Sequence, residues 1–250
     1  MTSDSVDAAG LSPHAIQTLP THLAIIMDGN GRWAQQRGLP RNEGHRAGVR
    51  AAKDIVTTCR RLGIRYLTLY TFSQENWGRP QDEIRLLFQL LVDFLAAELP
   101  TMKRRSIRLN VYGDIDELPL AAKAALQRAM RQTETCSSMT VNLALNYSGR
   151  EEIVRAVRAL IRDGFAPDAI TEEVLRTYLF SGDQPDPDLI IRTSGELRLS
   201  NFLTFQSAYS EFFFTDALWP DFTPEVLLAA LDSYAGRRRR FGLTQEQLTP

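Results

Sequence analysis

Short apolar runs alternate with longer stretches of helical periodicity from Leu23 onward in this 250-residue chain. Such alternation is typical of strands joined by crossover helices, and it predicts an α/β fold with a central, mostly parallel sheet flanked by helices. The predicted strands are Leu23–Met27, Tyr66–Phe72, Ile107–Tyr112, Met139–Leu145 and Leu189–Arg192. The predicted helices are Ala47–Leu62, Asp82–Arg104, Leu120–Thr133, Glu151–Asp163 and one that begins at Pro224. This single series of elements indicates one domain with one large core.

The overall composition argues against several classes of protein. With 29 basic and 30 acidic residues the formal net charge is -1, so bulk positive charge gives no support for nucleic-acid binding, and any anionic ligand must be held by local clusters. Cys59 and Cys136 lie far apart without metal-like spacing, which predicts neither a disulfide framework nor a zinc site and fits a reducing cytoplasm. No apolar run approaches the roughly 18 residues of a membrane span.

Polar residues follow several of the predicted strands, and ligands of open parallel sheets collect outside the carboxyl ends of the strands. Asp28, Asn30 and Arg32 follow the first strand, Ser73, Glu75, Asn76, Trp77 and Arg79 follow the second, and Arg192, Glu196, Arg198 and Ser200 lie at the end of a later one. We therefore expect anion-binding chemistry at this edge.

The loop after the first strand is suited to a magnesium-bound diphosphate. Gly29 and Gly31 let backbone N–H groups approach an anion, while Asp28 and Arg32 supply opposite charges. Because Mg²⁺ takes one or two carboxylates and fills its shell with water and phosphate oxygens, one aspartate is enough. The alternative is an ordinary Asp-Gly turn with solvated neighbours.

Two further segments are candidates for binding phosphate. Arg41 and His45 lie at the start of a helix, where free N–H groups and the helix dipole favour an anion, although His45 could also be a hydrogen-bonded structural histidine. The segment Arg192–Ser200 combines arginines, hydroxyls and a glycine, which indicates a second diphosphate pocket. Its alternative is a surface loop of paired charges.

The helix over Asp82–Arg104 carries apolar residues around most of its circumference. This pattern is usual for a buried helix. The same surface could line a hydrophobic tunnel beside the sheet, because each buried CH₂ of a lipid chain contributes about 0.8 kcal/mol. The sequence leaves both interpretations open.

Three patterns suggest other functions and are set aside. The spacing Gly29-x-Gly31-x-x-Ala34 matches a dinucleotide fingerprint, but Arg50 and Ala51 stand where its acidic residue belongs. The aspartates 183, 186 and 188 resemble a helical metal motif, yet Pro185 and Pro187 exclude that helix, so a turn entering a strand is predicted. The basic run 237–240 is typical of a solvated helix end.

Taken together, these motifs resemble the cis-prenyltransferase family, and most closely the bacterial undecaprenyl diphosphate synthases. The segments that carry the resemblance are 22–34, 41–48, 70–77, 146–150, 188–202, 205–206, 208–209, Glu211, 214–222 and 237–242. There are two departures: Leu197 stands where some members have histidine, and Leu203-Thr204-Phe205 replaces a commoner Leu-Leu-Trp. Neither departure removes a phosphate ligand.

The resemblance implies a set of site residues. The catalytic groups would be Asp28, Asn30, Ser73 and Asn76, with Asp28 and Glu211 as the metal-handling carboxylates for Mg²⁺. The substrate-binding groups would be Gly29, Gly31, Arg32, Trp33, Arg41, His45, Phe72, Glu75, Trp77, Arg79, Arg192, Arg198, Ser200, Arg240 and Gly242. Ser73, Asn76, Trp77 and Arg79 would organise a loop that closes over the substrates, and Arg240 and Gly242 would reach the active site of a dimer partner.

The resemblance also implies the reaction and the domain organisation. We expect isopentenyl diphosphate to be condensed with an allylic diphosphate such as farnesyl diphosphate, and small Thr71 near the tunnel mouth favours a long product of the undecaprenyl class. The expected domain spans 21–243, between a flexible tail over 1–20, which has no signal-peptide pattern, and a tail over 244–250. A cytoplasmic homodimer with peripheral membrane contact is implied. The alternatives are a shorter-chain synthase, a noncatalytic partner subunit, a lipid-diphosphate binding module and a dinucleotide-dependent oxidoreductase.

Overall fold

A single parallel sheet organises the protein, whose computed structural model describes residues 11–237. Its strands are β1 (His22–Ile26), β2 (Tyr66–Ser73), β3 (Ile107–Tyr112), β4 (Met139–Tyr147), β5 (Leu189–Arg192) and β6 (Glu211–Phe214). They are arranged in the order β3-β4-β2-β1-β5-β6, and each neighbouring pair is parallel. The predicted α/β class is confirmed, and the predicted bounds of β3 and β5 agree with the structure.

Eight α-helices connect or flank the strands in the described part of the chain. They are α1 (Pro13–Gln17), α2 (Asn30–Gln36), α3 (Arg41–Leu62), α4 (Gln81–Arg104), α5 (Leu120–Thr133), α6 (Gly149–Arg162), α7 (Glu172–Thr177) and α8 (Pro224–Ala235). Helix α3 is followed by Gly63, whose φ of 82° is the left-handed conformation that glycine adopts without a Cβ penalty. The Ser148 side chain accepts a hydrogen bond from the backbone N–H of Glu151 and caps the N-terminus of α6.

The two faces of the sheet carry separate apolar clusters because successive strand residues point to opposite sides. In β1, Leu23 and Ile25 face a large core that includes Ile55 of α3, Phe88 of α4 and Leu126 of α5. On the other face, Ala24 and Ile26 belong to a smaller cluster with Tyr112, Tyr147 and Phe202. Helices α3 and α4 therefore lie on the same side of the sheet.

The structure contains four short helices and strands that differ from the predictions. Within the predicted tail, α1 packs against α8: Ser12 Oγ donates to Asp232 Oδ1 at 2.6 Å, and Ala15 is buried. The predicted loop after β1 becomes α2 from Asn30 onward, and no pattern in the sequence predicts α7 or β6. These elements have four to seven residues, too few for a hydrophobic period to be visible in the sequence.

The aspartate-rich segment before β5 forms the predicted turn. Asp186 pairs with Arg176, and Asp188 Oδ2 accepts the backbone N–H groups of Thr21 and His22 at 2.8 and 3.0 Å. These carboxylates therefore stabilise the entry to β1 and β5 rather than facing one another. None of the helices described here is long and apolar enough to cross a bilayer.

Candidate active site

The strand register brings the predicted site segments to one edge of the sheet. Ile26 pairs with Tyr70 of β2 and with Arg192 of β5, so the loops that follow these strands begin side by side. Thr193 joins two of the loops, because its Oγ1 accepts the Asp28 N–H at 2.9 Å and donates to the Asp28 carbonyl at 2.7 Å. Thr193 was not predicted as a site residue.

Asp28 lies between two arginines. Arg192 Nη2 donates to Asp28 Oδ2 at 3.0 Å, and Arg32 Nη2 lies 3.5 Å from the same oxygen while also donating to Ser194 Oγ at 2.5 Å. Burial alone would raise the pKa of Asp28, but hydrogen bonds from Arg192 and Ser194 and the two positive charges hold it below its ordinary value. Asp28 is therefore an ionised carboxylate at neutral pH.

Arg192 itself is almost completely buried at the end of β5. Only 4% of it is exposed, and its Nη1 donates to Ser200 Oγ at 2.7 Å and to the Arg198 carbonyl at 2.5 Å. A buried guanidinium without a partner would be costly, so Asp28 and Ser200 hold this charge in place. Arg198, in contrast, extends toward solvent and pairs with Glu196.

Glu83 in the first turn of α4 gathers two arginines and a histidine around its carboxylate. Its Oε1 lies 3.2 Å from His45 Nε2 and from Arg79 Nη1, and its Oε2 lies 3.0 Å from Arg41 Nε. Burial lowers the pKa of His45, and the neighbouring Glu83 charge opposes this. Sequence reasoning missed this role, because an acid in a first turn is already explained by the helix dipole.

The segment after β2 is fastened at several points. Ser73 and Asn76 form a reciprocal capping box, and Glu75 Oε1 accepts from Asn201 Nδ2 at 2.9 Å. Trp77 points inward: its Nε1 donates to Asn146 Oδ1 at 2.8 Å and its ring packs against Phe72. The Trp77 side chain therefore anchors this segment, and it does not line the polar cavity at this edge of the sheet.

A polar cavity of about 860 Å³ opens at this edge of the sheet, within the size range of small-molecule sites. Many predicted site residues line it: Asp28, Gly29, Asn30, Gly31, Arg32, Arg41, His45, Ser73, Glu75, Asn76, Arg79, Arg192, Arg198 and Ser200. Arg150, Asn201 and Thr204 also line it. Arg150 and Asn201 stand in motifs that carry the family resemblance, and this is the signal that could have identified them.

An apolar cavity of about 160 Å³ adjoins the polar one, between α3, α4 and the sheet. The two cavities share six lining residues: Met27, Asn30, His45, Tyr70, Thr71 and Leu87. At this junction Asn30 Oδ1 is buried without a hydrogen-bond partner. Helix α3 approaches it closely, since a Cβ added at Gly48 would lie 2.2 Å from that oxygen. A polar compartment and an apolar compartment thus meet at Asn30.

Several predicted site residues are not brought to the polar cavity. Trp33 donates to Asp221 Oδ1 at 2.7 Å and stacks beneath Arg37, and Phe72 lines the apolar cavity. Arg240 and Gly242 lie outside the described residues.

Glu211, predicted as a second metal-handling carboxylate, does not lie beside Asp28 within the described chain. Glu211 is level with Leu189 at the start of β6, three residues before the edge where Arg192 pairs with Phe214. That separation is about 10 Å along the strand. Glu211 instead pairs with Arg237 at 2.9 Å. Because all strands run parallel, a residue at the start of one cannot meet residues that follow the end of another.

The residues at Asp28 are compatible with a magnesium ion that is bound together with a diphosphate. Residues 11–237 contain no cluster of three or more His, Cys, Asp or Glu side chains that could hold a metal. Mg²⁺ needs no such cluster, because one carboxylate can suffice when water and phosphate oxygens complete its octahedron. Asp28 supplies that ionised carboxylate, and the surrounding arginines favour a diphosphate.

The fold and the site define a class: α/β proteins with a parallel sheet, an arginine-lined polar cavity at one edge of it and an adjoining apolar cavity. A family model described as "Putative undecaprenyl diphosphate synthase" matches residues 26–242. The chain belongs to this family of prenyl-transferring enzymes. Relatives named isoprenyl transferase include one from Heliobacterium mobile, 49% identical over 96% of this chain and 95% of the relative. Another, from Clostridium perfringens, is 50% identical over 90% of each chain.

A solved structure supports the same assignment at the level of the fold and of the sequence. Lavandulyl diphosphate synthase from Lavandula x intermedia, in complex with dimethylallyl diphosphate, superposes with a TM-score of 0.87 and 38% identity. The match covers 90% of this chain and 98% of that one.

Proposed function

We propose that this protein is a Mg²⁺-dependent cis-prenyltransferase that condenses isopentenyl diphosphate with an allylic diphosphate, such as farnesyl diphosphate. The observation that carries the proposal is the junction of the two cavities, where Asn30, His45 and Thr71 line both. A substrate with a diphosphate head and a growing hydrocarbon chain needs both environments side by side. The similar lavandulyl diphosphate synthase was solved with an allylic diphosphate, which supports this substrate class.

The cationic groups divide into two sets that suit two diphosphates. Near α3, the loop from Gly29 to Arg32, with Arg41 and His45, would bind the allylic diphosphate. Near β5, Arg192, Arg198 and Ser200 would bind isopentenyl diphosphate. Asp28 lies between the sets, because it contacts Arg192 on one side and Arg32 on the other. Arginine suits both roles because its planar fork can bond two phosphate oxygens at once.

The proposed reaction begins when the bond between the allylic carbon and its diphosphate oxygen breaks and the electron pair leaves with diphosphate. The double bond of isopentenyl diphosphate supplies the electrons for the new carbon–carbon bond, and a proton is then lost from the isopentenyl unit. Arg32, Arg41 and Arg192 stabilise the developing negative charge. Bound Mg²⁺, held by Asp28, would neutralise further charge on the diphosphate. Asn30, which lines both cavities, would help to position the proton transfer.

Water must be kept from the allylic cation, and the segment from Ser73 to Pro80 is placed to do this. Its Ser73, Glu75, Asn76 and Arg79 line the polar cavity, while Trp77 anchors its base. Closure of this segment over the substrates would exclude water during the reaction.

The product that we propose is a long polyprenyl diphosphate of the undecaprenyl class, a precursor of a cell-wall lipid carrier. The small Thr71 and apolar Leu87 at the junction leave a route into the apolar cavity, which would act as the tunnel for the chain. A cavity of about 160 Å³ must widen to hold a long chain. A shorter cis-prenyl product is the second candidate, favoured by the likeness to a lavandulyl diphosphate synthase.

We further propose a cytoplasmic homodimer that contacts the membrane when it releases product. Helix α6 exposes Val154, Val157 and Ile161, which share one side of the helix, and Ile161 is 65% exposed. A second copy of the chain is the occupant proposed for this face. Sedimentation of an Ile161→Glu variant tests it: a wild-type dimer that becomes monomeric supports the proposal, and an unchanged dimer contradicts it.

The reaction is tested by incubating purified protein with farnesyl diphosphate, labelled isopentenyl diphosphate and Mg²⁺, with and without EDTA. Chromatography of the extracted chains then reports both incorporation and length. Metal-dependent long chains are expected. Short chains would keep the reaction and change the product. No incorporation with any allylic primer would favour a noncatalytic partner subunit or a binding module. The presence of Asp28, Arg192 and Arg198 argues against both of these alternatives.

A further inference from the structure

Asn201 follows Ser200 in the loop after β5 and lines the polar cavity, but it is not among the predicted site residues. Its backbone lies in the left-handed region with a φ of 64°, and so do Ser200 at 48° and Leu203 at 45°. Asparagine adopts this conformation more readily than most residues, whereas leucine rarely does. Such a backbone persists only where surrounding contacts hold it, so the contacts of this loop are informative.

Asn201 binds the loop that follows β4. Its Oδ1 accepts a hydrogen bond from the backbone N–H of Arg150 at 3.0 Å, and its carbonyl accepts one from the backbone N–H of Gly149 at 2.8 Å. Its Nδ2 donates to Ser148 Oγ at 2.8 Å. The packing is close, because a Cβ added at Gly149 would lie 3.0 Å from the Asn201 carbonyl oxygen. The loop after β5 is thus fixed on the start of α6.

The same Nδ2 group also reaches the segment that follows β2, where it donates to Glu75 Oε1 at 2.9 Å. The backbone N–H of Arg150 can only donate, so it must face the amide oxygen and leave the NH₂ group for Glu75. Partial burial would raise the pKa of Glu75, but hydrogen bonds, among them the one from Asn201, hold it below its ordinary value. Glu75 is therefore an ionised acceptor at neutral pH, and one side chain joins the loops after β2, β4 and β5.

These contacts adjoin the groups that we propose for isopentenyl diphosphate. Ser200, next to Asn201 in the chain, accepts from Arg192 Nη1 at 2.7 Å through its Oγ and from the Tyr70 hydroxyl at 3.2 Å through its carbonyl. Glu75 belongs to the segment that we propose to close over the substrates. The contact between Glu75 and Asn201 is therefore a direct polar link between the closing segment and the loop that carries Ser200.

We propose that Asn201 is a positioning residue for isopentenyl diphosphate. It holds Ser200, and through it Arg192, in the geometry that binds this substrate. Through Glu75 it couples that geometry to the position of the closing segment, so that the two loops move together. This inference rests on the proposed function and adds to it the residue that links substrate binding to closure.

The test reverses the polarity of the contact in the full-length protein. Asn201→Asp keeps the size of the side chain and its tolerance of the left-handed backbone, but it places a carboxylate against Glu75. The KM for isopentenyl diphosphate should rise about 10-fold, while the KM for farnesyl diphosphate should change by about 3-fold or less. In a Glu75→Gln background the new carboxylate regains an amide donor. Asn201→Asp should there change the KM for isopentenyl diphosphate by about 3-fold or less.

Glu196→Gln is the matched background, because it also removes one negative charge near the site but leaves Glu75 in place. Glu196 pairs with Arg198, which lines the same cavity. In this background Asn201→Asp should again raise the KM for isopentenyl diphosphate about 10-fold. An equal effect of Asn201→Asp in all three backgrounds would show that the added charge acts without Glu75, and would overturn the inference.

Two further measurements keep the test decisive. Calorimetry with isopentenyl diphosphate alone reports the same changes as Kd without turnover. If Asn201→Asp does not fold, Glu75→Ala removes the acceptor from the exposed side of the contact and should raise the KM for isopentenyl diphosphate about 3-fold or more. An unchanged KM in Glu75→Ala would overturn the inference and leave the proposed function intact. A wild type that neither incorporates nor binds isopentenyl diphosphate would overturn both.

Discussion

Arg192 Nη2 lies 3.0 Å from Asp28 Oδ2, so a buried guanidinium at the end of β5 fixes the carboxylate that follows β1. The contact joins the two halves of the proposed site, because Arg192 also holds Ser200 and Asp28 also contacts Arg32. We therefore expect the rate of prenyl transfer to depend on the charge of Asp28 more than on the size of its side chain.

Asp28→Asn removes this charge with little change of size. We expect the rate of prenyl transfer to fall by about 10²-fold or more, because the developing diphosphate charge loses its metal-binding carboxylate. Transfer rates measured across a Mg²⁺ titration check this. Asp221→Asn is the control, since Asp221 also pairs with an arginine, Arg37, but lies outside the cavities. Near-normal elongation by Asp28→Asn would refute the metal assignment.

Glu83→Gln tests whether Glu83 positions the cations around it. Loss of its charge leaves Arg41, Arg79 and His45 without their shared partner, and we expect kcat/KM for the allylic diphosphate to fall about 10-fold. The pKa of His45, followed by NMR, should fall further, because the Glu83 charge raises it in the wild type. The neighbouring Asp82→Asn is the control: Asp82 is 91% exposed and pairs with Arg85. A lower KM in Glu83→Gln would show instead that Glu83 competes with phosphate.

Gly44→Ala tests the close packing of α3 against α2. A Cβ at this position would lie 1.9 Å from the Asn30 carbonyl oxygen, so the backbone must shift. We expect the free energy of unfolding to fall by about 1–3 kcal/mol, as in other overpacked cores, with loss of activity because Asn30 moves. Urea unfolding measures this. At Gly78 an added Cβ meets nothing within 4 Å, so Gly78→Ala should change stability by about 0.5 kcal/mol or less. Equal stability of the two variants would contradict the packing.

His22 should make stability depend on pH below neutrality. It is buried, with one ring nitrogen 2.6 Å from the Pro185 carbonyl and the other 2.7 Å from Thr68 Oγ1. Burial lowers its pKa below 6.5, so as pH falls from 6.5 the unfolded chain takes up a proton before the folded protein does. The contribution of neutral His22 to the free energy of unfolding is therefore fully present above pH 6.5. It is lost as pH falls, by up to about 1.4 kcal/mol per pH unit.

The measurement is the free energy of unfolding in urea between pH 5 and pH 8 for the wild type and His22→Gln. The variant should be less stable at pH 7.5, because the two hydrogen bonds are disturbed, but its stability should depend less steeply on pH. Identical slopes would show that His22 does not account for the pH dependence.

The limits of sequence-based prediction follow from the length of the elements. Strand β5 was predicted within its observed bounds because a short apolar run is bounded by polar residues, and α5 because its apolar period covers 14 residues. Helix α2 was read as a loop, since Gly29 and Gly31 favour turns and seven residues show no clear period. The helical periodicity of α3 becomes recognisable only at Ala47, six residues after the helix begins, because Arg41 to Arg46 are polar or small.

The sequence by itself determined the parallel α/β class, the family and the polar residues that follow the strands, because these depend on local periodicity and on motifs contiguous along the chain. Tertiary structure decided which of those residues meet. Only the parallel register places Asp28 beside Arg192. The same register places Glu211 at the start of β6, at the opposite edge of the sheet. Only the packing of α3 on α4 brings Glu83 to Arg41 and His45 and Lys53 to Glu98. Such contacts join residues 38 to 164 positions apart, and no local pattern encodes that proximity.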